Sequence, residues 1–388
     1  MVARIAIFLL ATIILSDLYI YVRFFRKPHK HSWPMHVLMW GSSAVIMIFT
    51  CVLSLQRNFA PLNLTWLNVY LFLLVVCTFS KSIYVLCSIV GLLLRRFVVR
   101  TSCKFEHYAG LILGALSICV YIYGITAGVS RIKVNRMDLT YKNLPASFDG
   151  YTIIHVSDLH LGTFKGWRSR ILKAEMDSIR RINHNLICFT GDLQNMHPSE
   201  IEIMKPFLSP MQGTVAVLGN HDYAGYFKTD PDKEYTIRQR VITIQRQMGW
   251  HPLLNDNIII RSKNKKDSIV ILGTENDGKP PYPSKADYTR TIRGINPKSF
   301  AIILQHDPSA WRRNILRRTN AQLTLCGHTH GGQMQILGLR PTQFTQKEDH
   351  GLYEEDQRHL YVTAGLGGMV PFRLNMPNEI TVITLHKQ

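Results

Sequence analysis

Five short polar clusters each follow a run of apolar residues: Asp158 and His160 in "DLH", Asp192 in "GD", Asn220 and His221 in "GNHD", His306 in "QHDP", and His328 and His330 in "GHTH". Aspartate, asparagine and histidine offer hard oxygens and borderline nitrogens. That donor set suits zinc, manganese or iron and differs from the thiolates of structural zinc sites. Two carboxylates, one amide oxygen and five imidazoles exceed what one ion takes up, whereas two ions sharing a carboxylate can take nearly all of them. Each cluster alone is weak, because Asp and His favour loops anyway. All five in order, each at the end of a strand-like run, form a far stronger signal.

The elements that must hold these clusters alternate along residues 131–388. "GYTIIHVSDLHLG" reads as a strand and polar loop, "RSRILKAEMDSIRRIN" places Leu172, Met176 and Ile179 on one helical face, and "NLICFTGDLQN" is a second strand and loop. "GTVAVLGNHDY" supplies a third strand, and Ile237, Val241, Ile244 and Met248 recur at helical spacing before Gly249. "NIIIRSKNKKDSIVILGTEND" reads as a hairpin, and "SFAIILQHDP" and "AQLTLCGHTHGGQ" as two more strands. Ligand sites on layered α/β folds gather where loops leave strand ends, so the five clusters are expected to converge.

Residues 1–130 are of another kind. Apolar runs at 5–22, 35–55, 66–94 and 108–129 each reach the roughly 18–20 residues that cross a hydrocarbon core, predicting four transmembrane helices. "RFFRKPHKH" follows the first run where a signal peptide would carry a small-residue cleavage site, so that helix is expected to be retained. Asp17 lies toward a helix end, and Lys81 is expected to snorkel from the over-long third run. Arg23, Arg26, Lys27 and Lys30 mark the first connecting loop and Arg95, Arg96, Arg100 and Lys104 the third, against Arg57 in the second. Positive loops stay in the cytoplasm, which places everything after residue 130 outside it.

The net charge of +19 divides into +9 on residues 1–130 (11 Lys and Arg against 2 Asp and Glu) and +10 on the remainder (34 against 24). No basic cluster interleaved with aromatics accompanies it, so nucleic acid is not an expected partner. Seven cysteines include no CxxC pair, with Cys103 in a loop and Cys188 and Cys326 in strand-like runs, so neither a disulfide framework nor a thiolate zinc site is expected.

Taken in order, "DLH", "GD", "GNHD", "QHDP" and "GHTHGG" resemble the calcineurin-like metallophosphoesterase superfamily over residues 158–332. The closing "GLGGMVPFRLNMPNEITVITL" is similar to the C-terminal strand region of the membrane-associated branch that includes the YkuE and YaeI proteins. The resemblance implies an α/β, four-layer sandwich over residues 131–388, preceded by the all-α four-helix transmembrane module of residues 1–130. It also implies roles: Asp158, His160 and His330 for one metal, Asn220, His306 and His328 for the second, and Asp192 bridging. His221 becomes a catalytic histidine near the leaving group and Asp222 its orienting partner. "GDLQN" departs from a frequent acidic continuation, which puts the surroundings of the metals in doubt rather than the metals.

Two dications about 3.5–4 Å apart lower the pKa of a shared water toward 7 and clamp phosphoryl oxygens during in-line displacement. The expected enzyme is a membrane-anchored phosphodiesterase or phosphatase, a phosphoric ester hydrolase using two divalent ions (Mn, Zn or Fe). Its expected partners are membrane lipids and a phosphate ester, with lipid-linked and envelope phosphates as one class. One alternative is a UDP-2,3-diacylglucosamine-type pyrophosphohydrolase, which needs a cytoplasmic active site; another is a non-catalytic membrane scaffold or sensor. Tyr223, Tyr226 and Phe227, and Tyr282 and Tyr288 in the "GKPPYPSKADYTR" loop, either line the cleft mouth or staple its loops. Lys279, Lys285 and Arg290 either steer an anion or form a solvated face.

Overall fold

The computed structural model describes residues 2–26, 33–56, 61, 63–98, 105–225 and 231–388. Of the residues named above, Lys27, Lys30, Arg57, Arg100, Cys103, Lys104, Tyr226 and Phe227 lie outside the described ones. The chain divides into two units, residues 1–59 with 63–124, and residues 125–388 with 60–62.

The first unit is helical: α1 (Val2–Ile20), α2 (Trp33–Leu55), α3 (Thr65–Leu74), α4 (Ser80–Phe97) and α5 (Phe105–Ile125). Wider π turns extend α1 through Phe25 and join α3 to α4, so four continuous spans result: Ile5–Phe25, Trp33–Leu55, Thr65–Phe97 and Phe105–Ser130. Each is long and apolar enough to cross a membrane. A helix satisfies its own backbone polar groups, which is why such segments are tolerated in lipid. Ile13, Ile46, Leu53, Leu67 and Tyr70 pack inside, while Ile7, Phe8, Leu38 and Ile48 face outward.

Lys81 departs from expectation. Instead of snorkelling, its ammonium donates to Asp17 Oδ1 at 2.7 Å and to Ser43 Oγ at 2.8 Å, tying α1, α2 and α4 together. The reason is depth. Lys81 sits at the midpoint of the 33-residue span Thr65–Phe97, out of stem's reach of either end, so pairing inside the bundle is the alternative left to it.

The second unit holds two six-stranded sheets. In chain order come β1 (Ile132–Tyr141), β2 (Tyr151–Val156), α6 (Ser169–Arg181), β3 (Leu186–Phe189), α7 (Pro198–Met204), β4 (Val215–Ala216), α8 (Pro231–Gln247) and β5 (His251–Pro252). There follow β6 (Asp256–Arg261), β7 (Ser268–Gly273), β8 (Ala301–Leu304), β9 (Leu323–Cys326), β10 (Gly351–Glu355), β11 (Arg358–Val362) and β12 (Asn378–Lys387). The first sheet runs β1-β12-β2-β3-β4-β5 and the second β10-β11-β9-β8-β7-β6, with β2 to β5 and β7, β8, β9 and β11 parallel.

Alternation along the strands builds the layers. Ile153, Cys188, Val215 and Ile383 meet Ile271, Ile302, Leu304 and Leu325 between the sheets. Their neighbours Ile154, Phe189 and Val382 turn outward onto Leu172, Met176 and Ile179 of α6 and Val241 and Ile244 of α8. On the far face, Val270, Ile303, Leu360 and Cys326 pack under Trp311 and Ile315. The result is a mixed α/β four-layer sandwich, in which both cysteines expected in strands are core residues.

Candidate metal centre

Every expected ligand leaves the carboxyl end of a parallel strand or the turn just beyond it. Asp158 and His160 follow β2, Asp192 follows β3, Asn220 and His221 follow β4, His306 follows β8, and His328 and His330 follow β9. The backbone there is bent hard. Asp158, His160, Asp192, His328 and His330 all have positive φ, between 48° and 74°, a conformation that non-glycine residues hold only where their surroundings enforce it. Gly327 permits the close packing there, because a Cβ would collide with Ser157 and the Asp158 carboxylate.

The turns bring the donors together. Ligand atoms of Asp158, His160 and His330 lie within 4.8 Å of one another, and so do those of Asp192, His306 and His328. Asp192 Oδ2 stands 3.2 Å from His306 Nε2, 3.6 Å from His160 Nε2 and 4.0 Å from His221 Nε2. Asn220 Oδ1 is 3.2 Å from His306 Nε2, and His328 Nδ1 lies at the same distance from that nitrogen. His330 Nε2 faces Asp158 Oδ1 at 3.6 Å. All seven expected ligands therefore share one buried spot, as does His221.

Hydrogen bonds behind the rings set which nitrogen faces inward. His306 Nδ1–H donates to the Thr190 carbonyl at 2.7 Å and His221 Nδ1–H to the Asn195 carbonyl at 2.7 Å, leaving both Nε2 atoms aimed into the site. The Asn195 side-chain amide lies 3.1 Å from His160 Nδ1 and 3.0 Å from Thr163 Oγ1. His160 Nε2 is buried without a hydrogen-bond partner, between Asp158 Oδ1 at 4.0 Å and Asp192 Oδ2 at 3.6 Å. A buried ring nitrogen left so between two carboxylates fits a site for a cation, and the nitrogen–oxygen donor set fits Mn, Zn or Fe.

Asp222 does not orient the His221 ring as the resemblance implies. Its carboxylate accepts the backbone N–H groups of Gly219 (2.9 Å), Asp192 (3.0 Å), Leu193 (3.1 Å) and Gln194 (3.4 Å), pinning the "GD" loop to the "GNHD" turn. The short reach of an aspartate inside its own 3₁₀ turn directs it at those amides. Asn195 takes the orienting role, and its position in "GDLQN" was the only sequence sign of it.

Electrostatics follow from burial among like and unlike charges. Burial opposes ionisation of Asp192, but the imidazoles of His306, His221 and His160 outweigh it and hold the carboxyl well below its ordinary value. Burial disfavours the His306 cation too, yet Asp192 and then Asp158 raise it to about 10. His160 is pushed well down, by burial and then by His221, and His330 falls to about 4, chiefly through burial. Asp222 rises to about 7 through burial and the neighbouring Asp192 charge.

Around the mouth, the Tyr282 ring stands edge-on to His328 with centroids 4.8 Å apart. Tyr223 and Tyr288 are buried staples instead, their hydroxyls donating to Glu275 Oε1 at 3.2 Å and Asp277 Oδ2 at 2.8 Å. Lys285 pairs with Glu234 at 2.8 Å, while Lys279 and Arg290 are exposed.

A family profile described as "Calcineurin-like phosphoesterase" matches residues 151–332, the stretch that carries all five clusters. The metallophosphoesterase YkuE of Bacillus subtilis is 30% identical over 253 residues, 62% of this chain and 81% of YkuE. The chain belongs to the calcineurin-like phosphoesterase family. A second profile, "Probable Calcineurin-like phosphoesterase, transmembrane domain", matches residues 3–129. The phosphodiesterase YaeI of Escherichia coli is 30% identical over 245 residues (61% of this chain, 82% of YaeI). The UDP-2,3-diacylglucosamine pyrophosphatase LpxG of Chlamydia trachomatis is 25% identical over 299 residues (65% and 88%). This phosphoesterase is thus a membrane protein and a hydrolase of phosphate esters that works with divalent metal ions. A non-catalytic scaffold is set aside accordingly.

Proposed function

We propose that the chain is a membrane-anchored, two-metal phosphoesterase acting on lipid-linked phosphates. The observation that carries this reading is Asp192, whose Oδ2 lies within 4.0 Å of three imidazole nitrogens from three different loops. Asp158, His160 and His330 would hold one ion, Asn220, His306 and His328 the other, and Asp192 both. Bound there, the ions supply Lewis acidity toward the phosphoryl oxygens and toward the attacking water.

The chain's own residues do the rest. With its Nδ1 proton committed to the Asn195 carbonyl, His221 presents Nε2 to an equatorial phosphoryl oxygen or hands a proton to the departing alkoxide. Burial of Asp158, His160 and His306 excludes bulk water behind the reacting group. The membrane module and the likeness to LpxG support a substrate held in or near a bilayer. The likeness to LpxG also supports a second reading, a pyrophosphohydrolase of a nucleotide-linked lipid with its active site in the cytoplasm.

The test is the full chain in detergent, loaded with Mn, Zn or Fe and assayed on a phosphomonoester and a phosphodiester side by side. His221→Ala is expected to keep its metal content while turnover falls by roughly 10²–10⁴. Asp192→Asn is expected to lose both. Undiminished turnover in either variant overturns the assignment.

A further inference from the structure

Just past His330 the chain makes an excursion that the metal site does not use. Ile336 and Leu339 exchange two backbone hydrogen bonds, each 2.9 Å, around a two-residue turn of Leu337 (φ 50°) and Gly338 (φ 86°). Two positive φ values in succession define the hairpin turn that Asn-Gly ordinarily occupies. Here leucine holds the asparagine place, in a backbone conformation its side chain disfavours, and that side chain is 98% exposed. Ile336, Leu339 and Phe344 are exposed beside it, the last by 80%. A water-facing tip gains nothing from this choice, and exposed apolar groups clustered this way mark a contact surface.

The occupant of the tip is inferred from where its base is fixed. Gln335 N–H donates to the Leu374 carbonyl at 2.8 Å, Leu374 N–H to the Gln333 carbonyl at 2.9 Å, and Gln333 Nε2 to the Val370 carbonyl at 2.9 Å. Gln333 and Val370 line one small cavity with Val129, whose carbonyl accepts from Asn378 Nδ2 at 2.9 Å. Val129 belongs to the end of the membrane span Phe105–Ser130. Within this unit, then, the base of the apolar hairpin, three residues past His330, shares a cavity with Val129, where the last membrane span joins the folded unit.

We propose that the hairpin of residues 335–340 is a membrane-docking element, with Leu337, Ile336 and Leu339 seated in the lipid surface from which the chain emerges. Docking holds the rim carrying His328 and His330 at the bilayer and admits a phosphate ester whose tail stays in lipid. The substrate part of this inference rests on the phosphoesterase reading; the docking part does not.

The experiment uses the full chain in proteoliposomes containing brominated phosphatidylcholine. Leu337→Trp adds a fluorophore at the tip, and Ile259→Trp adds one at an exposed site on β6; each is read against the unsubstituted protein, whose sequence has six tryptophans. Bromine is expected to quench the added emission at 337 and not at 259. Equal emission with and without bromine at 337 overturns the docking, and concentration-dependent self-association through that site would assign the hairpin to a second copy of the chain instead. In a second arm, Leu337→Asp with Leu339→Asp is expected to hydrolyse a water-soluble phosphodiester at the unsubstituted rate and a bilayer-embedded one about tenfold more slowly. Equal rates on both substrates overturn the proposal. Absence of turnover in the unsubstituted protein overturns the phosphoesterase reading, and the quenching result still decides the docking.

Discussion

His306 shows what a single side chain must reconcile in this site. It is fully buried, which disfavours its cation, yet Asp192 and Asp158 raise its pKa to about 10, so without metal it keeps a proton near neutrality. A metal ligand must be deprotonated, so proton and ion compete for the same Nε2. Raising the pH removes the competitor. Apparent metal affinity is therefore expected to climb by about tenfold per pH unit through the neutral range while His306 remains protonated, with about one proton released per event. Calorimetry in buffers of different ionisation enthalpy at pH 7 measures that release, and a binding heat independent of the buffer would overturn it. At this scale the sequence was eloquent about donors, because seven polar side chains after apolar strands have no other ready explanation. Of Asn195 it gave only the departing "GDLQN" continuation, because that residue acts on His221 through a main-chain carbonyl that every residue type possesses.

At the scale of elements, what positions the donors is a set of buried polar ties between strands and loops. Glu379 of β12 accepts the Tyr361 hydroxyl from β11, Asn135 Nδ2 from β1 at 3.1 Å and the Ala364 N–H at 2.9 Å, and pairs with His350 at 3.0 Å. Burial raises its pKa, but the His350 contact and the donated hydrogen bonds prevail and bring it to about 2. A carboxyl depressed in the fold stabilises it above the unfolded value near 4.5, and that contribution, about 3 kcal/mol, is lost as pH falls through 2. Glu379→Gln should therefore lower the urea midpoint most at pH 7, with the gap to the unsubstituted protein closing toward pH 2. A gap independent of pH would place the effect in packing rather than in charge. These ties were hidden in the sequence, as were two of the strands they join, β1 and β11, whereas the strand region holding β12 was read from its resemblance. The apolar alternation of β1 slips phase at Arg136, and β10 and β11 meet through Asp356-Gln357, both at positive φ, without the usual glycine.

For the whole molecule, the open choice is which side of the membrane the phosphoesterase unit occupies. The four spans were legible because length and hydropathy suffice for them. The Asp17–Lys81 pair was not, since it needs two helices remote in sequence to converge. Orientation rests on the loop charges, with Arg23 and Arg26 at the end of the first span and Arg95 and Arg96 at the end of the third. Basic residues close to span ends resist translocation, so those ends are proposed to be cytoplasmic, and the fourth span, which follows the third, then puts residues after 130 on the far side. A reporter active only in the cytoplasm, fused after Gln388, should stay silent, while one active only outside should respond. The reverse result would carry the metal site into the cytoplasm, where nucleotide-linked lipids are made, and would turn the preference from envelope phosphates to a pyrophosphate like that named for LpxG. Moving Arg95 and Arg96 to the second loop should then shift the balance between the two reporters, which ties the orientation to those charges and not to the catalytic unit.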